Sequence, residues 1–389
     1  MRPHLRLRRV VAGGALVLLG LVGWAGPASA DPPRPTDYRS IVTGVTPATD
    51  AFDVRVVGGD AFVELAVAPG HEVVVTGYDN EPYLRFTPSG DVLENRSSPA
   101  AYVNARRYGD VEVPEGVEPQ GEPDWHRVAG HGTYAWHDHR IHWMSPQPPS
   151  NVPRGEVVQE WNVLLVVDGD PVTVNGVLRY ETAVAWWPWA LLAVVAAAAV
   201  VAAGRVWPRR RVLRIVAGVA AVVAVVVASA EQLAIPEGAG RSLVRFAVPV
   251  VGLLGASVAL LVDRAGQRRG LADVAGIAAV AAVTGWVARR LGVLTKPVLP
   301  TLLDAHVDRA GTALALGLTG GAVALVLAGL DRGPTASPAV VPSSPAPAPA
   351  VPVSPAPAPA QAPAPPPVPA ATPADPSSAD GPASDDVTS

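Results

Sequence analysis

Hydrophobic and polar residues alternate in short segments over residues 31–183, and no apolar run in this region is long enough to cross a membrane. Alternation with a period of two is typical of strands with one buried face. Turn-forming residues separate the first segments, which lie at 52–57, 61–67, 72–76 and 83–86. Two longer segments, 157–167 and 172–180, flank a turn at 168–171 and predict a β-hairpin. We therefore expect residues 31–183 to form an all-β domain, a β-sandwich of the cupredoxin or immunoglobulin type.

From residue 184 onward the pattern changes to long apolar segments. Each approaches the ~20 residues that cross the hydrocarbon core as a helix. The five segments lie at about 185–204, 212–230, 243–262, 271–288 and 310–330. Composition agrees, because 49% of the residues are hydrophobic and only 16% are charged, against about 25% charged in an average soluble domain. The pattern predicts an α-helical bundle of five transmembrane spans over residues 184–330, with the lipid bilayer as partner.

The first 30 residues resemble a secretory signal peptide. Four arginines precede an apolar stretch over residues 10–24, and residues 28–30 (Ala-Ser-Ala) have the small-x-small pattern of a cleavage site. Cleavage there starts the mature chain at Asp31 and places the β domain outside the cytoplasm. An uncleaved first membrane helix is the alternative.

Charge placement predicts the orientation of the spans. Arginines cluster at 205–214, after the first span, and at 264–269, after the third. Positively charged loops tend to stay in the cytoplasm, so both are expected there, although Arg289, Arg290 and Lys296 depart from the rule. We therefore expect a multi-pass protein of the plasma membrane with an extracytoplasmic N-terminal domain.

The last segment, 331–389, has a composition that cannot form a packed core. It holds 18 of the 42 prolines, mixed with alanine and serine. Such segments are extended and disordered. With five spans, this Pro/Ala-rich tail is expected in the cytoplasm, as a spacer or as a ligand for proline-binding modules.

Charge and cysteine content exclude several functions. The formal net charge is −4, which argues against a nucleic-acid-binding protein. The chain has no cysteine, so disulfides, iron–sulfur clusters, thiolate zinc sites and blue-copper centres are excluded. The sequence carries no indication of the oligomeric state.

Five of the eight histidines fall between positions 126 and 142, in the part of the chain expected outside the cytoplasm. Imidazole is the commonest metal ligand. If residues 134–143 form one strand, His137 and His139 share a face and form the primary ligand pair. His142 reaches the same ion only if the strand ends or bulges. The full set of candidate ligands is His131, His137, His139, His142 and Met144.

Neutral imidazoles suit copper, zinc or nickel, and the thioether of Met144 favours Cu(I), so copper is the expected ion and zinc the alternative. Asp138 is expected either to pair with Arg140 or to orient an imidazole. An equally simple interpretation has no metal, with His137 and His139 in a structural hydrogen-bond network. Glu81 and His306 are weaker candidates, each with a structural alternative. No nucleophile elbow or H-E-x-x-H motif is present, so we expect no enzyme activity.

Three strings carry a resemblance: residues 81–85 (EPYLR), 98–100 (SPA) and 136–144 (WHDHRIHWM). Together they resemble a family of actinobacterial membrane-anchored envelope proteins, over roughly residues 40–330. The resemblance implies the membrane architecture above and supplies no activity. The histidine-rich β domain is similar, more loosely, to periplasmic copper-handling domains, but Asp31 stands where such carriers often begin with histidine.

Two functions follow as hypotheses. The first is a non-catalytic, membrane-anchored protein that binds a metal outside the cytoplasm and takes part in copper handling, with a metal-handling protein as partner. The second is a metal-free envelope protein whose aromatic and histidine-rich surface contacts a protein or a cell-wall polymer.

Overall fold

The computed structural model of the protein describes residues 32–236, 239, 243–264 and 269–330. The signal peptide and the tail predicted from the sequence lie outside the described residues. Within them, an antiparallel β domain is followed by five long apolar helices. The coarse architecture predicted from the alternation of polar and apolar segments is thereby confirmed.

Ten strands and one short helix form the described part of the β domain. The strands are β1 Tyr38–Thr46, β2 Phe52–Val57, β3 Phe62–Val67, β4 Val73–Thr76, β5 Pro82–Phe86, β6 Val92–Asn95, β7 Trp125–Ala129, β8 Thr133–His137, β9 Val157–Val167 and β10 Asp170–Tyr180. The helix α1, Ala100–Val103, lies between β6 and β7. One sheet has the order β1-β10-β9-β4-β5-β6-β7 and the other β2-β3-β8. Strands β1, β6 and β7 were not predicted.

The β9–β10 hairpin shows why this sequence forms strands. Every second residue is buried from Trp161 to Val167, and the buried positions of β10 face them in antiparallel register. Asp168 and Gly169 both have positive φ, of 52° and 97°, as a two-residue hairpin turn requires. The predicted hairpin is therefore confirmed, with a turn of two residues instead of four.

The two sheets share one hydrophobic core. Leu65 of β3 and Trp136 of β8, in the smaller sheet, belong to the same buried cluster as Leu84 of β5 and Leu165 of β9, in the larger sheet. At about 25 cal/mol per Å² of buried apolar surface, such a cluster is the main source of stability for a domain without disulfides. The histidine-rich segment stays in contact with this core beyond β8, because Ile141 belongs to the same buried cluster.

Gly176 provides a test of this packing. It lies opposite Trp161, and a Cβ at this position would be 2.1 Å from Trp161 Cζ2 and 2.5 Å from the carbonyl oxygen of Ile41. We expect Gly176→Ala to lower the free energy of unfolding by about 1–3 kcal/mol, the usual range for overpacking. Thermal unfolding of the full chain in detergent measures the effect. Gly44→Ala is the matched control, since a Cβ there meets nothing within 4 Å, and equal losses for both variants would contradict this packing.

Five long α-helices follow the β domain in the described part of the chain. They are α2 Trp187–Val206, α3 Arg209–Leu233, α4 Leu243–Arg264, α5 Arg269–Arg290 and α6 Ala305–Leu330. Each is long and apolar enough to cross a membrane. Large apolar side chains on their outer faces are exposed, such as Val194 at 65% and Leu261 at 63%. Such a surface requires lipid around it, so the chain is a multi-pass membrane protein.

The β domain is docked on one end of the helical bundle. Thr36 and Val298 form an antiparallel bridge, with N–O distances of 3.0 and 3.2 Å, and Lys296 forms an ion pair with Asp37. Phe62 of β3 is fully buried in one cluster with Ile235, which follows α3. The strand that carries Phe62 also pairs with β8, so the histidine-rich segment lies close to the bundle.

Candidate metal centre

Three histidines of the predicted set converge at the end of β8. The strand stops at His137, and residues 139–141 form a single 3₁₀ turn that brings His142 back. One ligand atom from each of His137, His139 and His142 lies within 4.8 Å of the others. The strand predicted over 134–143 is therefore wrong beyond His137, and this early end is what allows His142 to join the other two.

Asp138 ends the strand by capping the turn. Its Oδ1 accepts the backbone N–H of Arg140 at 3.0 Å, and its two carboxylate oxygens accept the Arg140 Nε–H and Nη2–H at 2.8 and 2.7 Å. Trp136 Nε1–H donates to Oδ2 at 2.9 Å. Burial alone would raise the pKa of Asp138, but Arg140 and these hydrogen bonds hold it below its ordinary value. The expected Asp138–Arg140 pair is present, and Asp138 makes no hydrogen bond to an imidazole of the cluster.

Two backbone carbonyls orient the imidazoles instead. His139 Nε2 lies 2.8 Å from the carbonyl oxygen of Arg106, and His142 Nε2 lies 2.6 Å from that of Arg107. A carbonyl only accepts, so each Nε2 carries the proton and each Nδ1 keeps its lone pair. Fixing the tautomer through the second nitrogen is the usual way in which proteins prepare a metal-binding imidazole.

The loop that supplies these carbonyls is itself anchored. Arg107 Nη2 donates to Asp60 Oδ2 at 2.5 Å, and Asp60 is fully buried. Burial raises the pKa of Asp60, and the neighbouring Arg107 opposes the shift. Gly109 lies against His139, since a Cβ there would be 2.9 Å from Cε1 of that ring. The sequence offered no signal for this loop, because residues 104–124 have no periodic pattern.

His137 is the least satisfied member of the cluster. It is 2% exposed, and neither of its ring nitrogens makes a hydrogen bond with a described residue within normal geometry. The nearby carbonyl of Ala61 acts only to raise its pKa slightly, whereas burial, Arg107 and His139 lower it to about 4. His142 Nδ1 is also buried without a partner. Buried polar atoms of this kind cost about 1–3 kcal/mol unless something binds them.

The cluster is built to remain uncharged at neutral pH. Burial lowers the pKa of His139 and His142 as well as that of His137, and neighbouring imidazoles lower the pKa of His137 and His142 further. A metal ion binds the unprotonated nitrogen. The imidazoles of this cluster are therefore neutral at pH 7, each with one unprotonated nitrogen, as a metal site requires.

The spacing of the rings fits an ion after a small adjustment. Ring centroids are 4.7 Å apart for His137 and His142, 5.2 Å for His139 and His142, and 5.8 Å for His137 and His139. A tetrahedral ion with metal–nitrogen bonds of about 2.0 Å needs its ligand nitrogens about 3.3 Å apart. The ligand nitrogens lie up to 4.8 Å apart, so the rings must rotate to bring these nitrogens closer together.

A cavity reaches the site from one side. It has a volume of about 470 Å³, and His137, Arg106, Arg107 and Tyr108 contribute to its wall. Of the three histidines, only His137 contributes to this wall, so the cavity approaches the cluster at that residue.

The other two predicted ligands are more exposed than this cluster. His131 is exposed, with a φ of 63°, in the turn before β8 and so beyond the opposite end of that strand from His137. Met144 is 41% exposed, in contrast to the buried His137 and His142. The structure thus brings together three of the five candidates.

Two weaker candidates have structural roles. Glu81 is 3% exposed and accepts hydrogen bonds from Ser98 Oγ at 2.7 Å and from the Asp79 backbone N–H at 2.9 Å. His306 packs against Trp189 with ring centroids 5.8 Å apart and a tilted geometry, and Asp304 caps the start of α6 beside it. These contacts give both residues a structural place without a metal.

Comparison with family models, curated proteins and solved structures gives no match to this chain. The resemblance to actinobacterial envelope proteins therefore stays a prediction. The chemistry of the site rests on its geometry.

The buried histidines predict how stability depends on pH. The unfolded chain protonates His137 near pH 6.5, whereas the folded chain protonates it only near pH 4. Stability is therefore full above pH 6.5 and falls as the pH drops toward 4, by about 3 kcal/mol for His137 alone. Thermal unfolding of the metal-free full chain between pH 7.5 and pH 4 tests this. His137→Gln should flatten the curve, and an unchanged slope in that variant would contradict the assignment.

Proposed function

We propose that this protein binds one transition-metal ion through His137, His139 and His142, in an extracytoplasmic β domain held at the plasma membrane by its five helices. The observation that carries the proposal is the convergence of three imidazoles, two of which have their tautomer fixed by a backbone carbonyl, with Nδ1 left to bind an ion. Two antiparallel sheets around one core support a β-sandwich of the cupredoxin or immunoglobulin type.

Copper and zinc are the two ions that the ligand set favours. A site of three neutral imidazoles suits both, and the Irving–Williams order places Cu(II) above Zn(II) for the same nitrogen ligands. The exposure of Met144 removes the main argument for Cu(I). We therefore propose that the site binds Cu(II) more tightly than Zn(II). We propose that the protein takes part in metal handling and that its partner is a metal-handling or envelope protein.

The surroundings of the histidines favour binding over catalysis. Hydrolytic metal sites place a general base beside the ion. Among the described residues, no carboxylate joins the three histidines, and the carboxylate of Asp138 is engaged by Arg140 and Trp136. We propose a protein that holds and transfers an ion without turnover.

Metal titration of the full chain tests the proposal. The purified protein in detergent is stripped with a chelator and titrated separately with Cu(II) and Zn(II), with calorimetry and metal analysis as readouts. We expect one ion per chain, tighter binding of Cu(II), and affinity that falls as the pH drops and the imidazoles protonate. A folded protein that retains neither ion would rule the proposal out.

A structural role for the histidines is the second candidate. The hydrogen bonds from His139 and His142 to Arg106 and Arg107 fasten the loop over residues 104–110 to the end of β8. If this is their whole role, replacing either histidine lowers the stability of the protein, and added metal has no effect on the stability of the wild type.

A further inference from the structure

A second pocket lies at the end of the helical bundle that faces the β domain. Its volume is about 280 Å³. The carboxyl ends of α3 and α5, the start of α4 and the segment before β1 contribute to its wall. The residues that define its chemistry are Arg34, Glu231, Arg245, Trp286, Arg289 and Arg290.

The described side chains of this pocket carry an excess of positive charge. Arg290 bridges two carboxylates, those of Glu231 and, at 2.5 Å, Asp308. Arg245 lies 4.0 Å from Glu231. Arg34 and Arg289 are exposed and form no ion pair with a described residue. Arg34 and Arg289 therefore add two guanidinium groups to the pocket beside the ion pairs that Glu231 forms.

Arg290 has a donor that the protein does not use. Arg290 is 7% exposed, and its guanidinium lies 5.0 Å from the centre of the Trp286 ring. The Nε–H is buried and has no acceptor among the described residues. A buried charged donor is unstable without an acceptor, so an anionic oxygen here would be stabilised.

The depth of the pocket matches that of lipid headgroups. The apolar spans containing its residues run over Arg209–Leu233, Arg245–Val262 and Gly270–Leu294. Glu231, Arg245 and Arg290 lie near the ends of these spans, next to the β domain. Tryptophan and arginine at such positions are typical of the boundary between hydrocarbon and water.

We propose that this pocket binds the phosphate group of an anionic phospholipid. Basic pockets between transmembrane helices bind such headgroups, and guanidinium groups match the oxygens of a phosphate. Inorganic phosphate shares this chemistry, so the test separates the two sources. The inference is independent of the histidine site.

The experiment measures thermal unfolding of the full chain in lipid nanodiscs. One set of discs contains phosphatidylcholine alone, and another contains phosphatidylcholine mixed with phosphatidylglycerol. A bound lipid raises the midpoint of unfolding by mass action. We expect the wild type to unfold several degrees higher in the mixed discs, and the variant with Arg34→Gln and Arg289→Gln to lose more than half of this rise.

A matched control variant carries Arg205→Gln and Arg209→Gln, at the opposite end of the bundle, and should keep the full rise. Equal losses in the two variants would show a general effect of surface charge and overturn the proposal. A rise produced by inorganic phosphate in phosphatidylcholine discs, equal to that of the anionic lipid, would assign the pocket to free phosphate and overturn the lipid assignment.

Discussion

Replacing His137 and His142 by alanine is expected to abolish stoichiometric metal binding by the full chain. Two of the three converging ligands are then absent, and the remaining imidazole of His139 binds an ion no better than a surface histidine. Since loss of an outer-shell partner alone typically weakens binding 10–100-fold, we expect the loss of two direct ligands to exceed a hundredfold. Calorimetric titration with Cu(II) and Zn(II) measures the change.

The control removes two histidines from the same stretch of sequence. His126 and His131 are exposed and lie outside the cluster, so the variant His126→Ala with His131→Ala should bind one ion with unchanged affinity. Because alanine at two buried positions leaves cavities, a second pair, His137→Gln with His142→Asn, keeps polar side chains of similar size. If the protein with His137→Gln and His142→Asn is folded and still binds one ion tightly, the metal site lies elsewhere.

Replacing Asp138 by alanine is expected to have the largest effect on stability of any single change near the site. Asp138 is fully buried and accepts hydrogen bonds from the Arg140 guanidinium, the Arg140 backbone and Trp136 Nε1. Its removal leaves a largely buried cation without its counter-ion, which costs about 3–5 kcal/mol. The cap of the 3₁₀ turn is lost with it, so the position of His142 and the metal affinity should change too.

The exposed ion pair between Asp91 and Arg127 supplies the control. Its N–O distance is 2.6 Å, as short as that of the Asp138 pair, but its side chains are 43% and 65% exposed. Exposed pairs contribute about 0–1 kcal/mol, so Asp91→Ala should change the unfolding temperature little. Thermal unfolding of both variants in detergent makes the comparison. Equal, small effects would contradict the structural role assigned to Asp138.

Local patterns in the sequence predict much of the architecture. The alternation in β9 and β10 and the Asp168-Gly169 pair are sufficient for the hairpin, because both features act between neighbouring residues. The five apolar helices follow from hydropathy for the same reason. Strand β7 carries only partly buried and exposed residues, and such a strand leaves little alternation to recognise.

The metal centre shows where sequence reasoning ends. The residue types of the cluster, three histidines within six positions, are visible in the sequence, but their arrangement depends on where β8 stops. Asp138 ends the strand by accepting hydrogen bonds from Arg140 and Trp136. The alternation of polar and apolar residues does not predict these hydrogen bonds. The carbonyls of Arg106 and Arg107 come from a loop more than 30 residues earlier, and only the folded domain brings them to the histidines.

The partners of the charged residues in the helices were also not predictable from the sequence. Glu231 pairs with Arg290, which lies 59 positions later and also forms an ion pair with Asp308. Asp273 pairs with Arg214 at 3.2 Å. Contacts between helices determine these partners, and hydropathy places only the helices themselves.

X-ray absorption spectroscopy of the metal-loaded full chain tests the central claim most directly. The spectrum of the bound ion counts its ligands and identifies imidazole from scattering by the ring. We expect three imidazole nitrogens at about 2.0 Å in the wild type, and no such spectrum from the variant that lacks His137 and His142, because it retains no stoichiometric ion. An ion bound mainly by oxygen or sulfur, or a wild-type spectrum that the double variant reproduces, would contradict the assignment of these three histidines as its ligands.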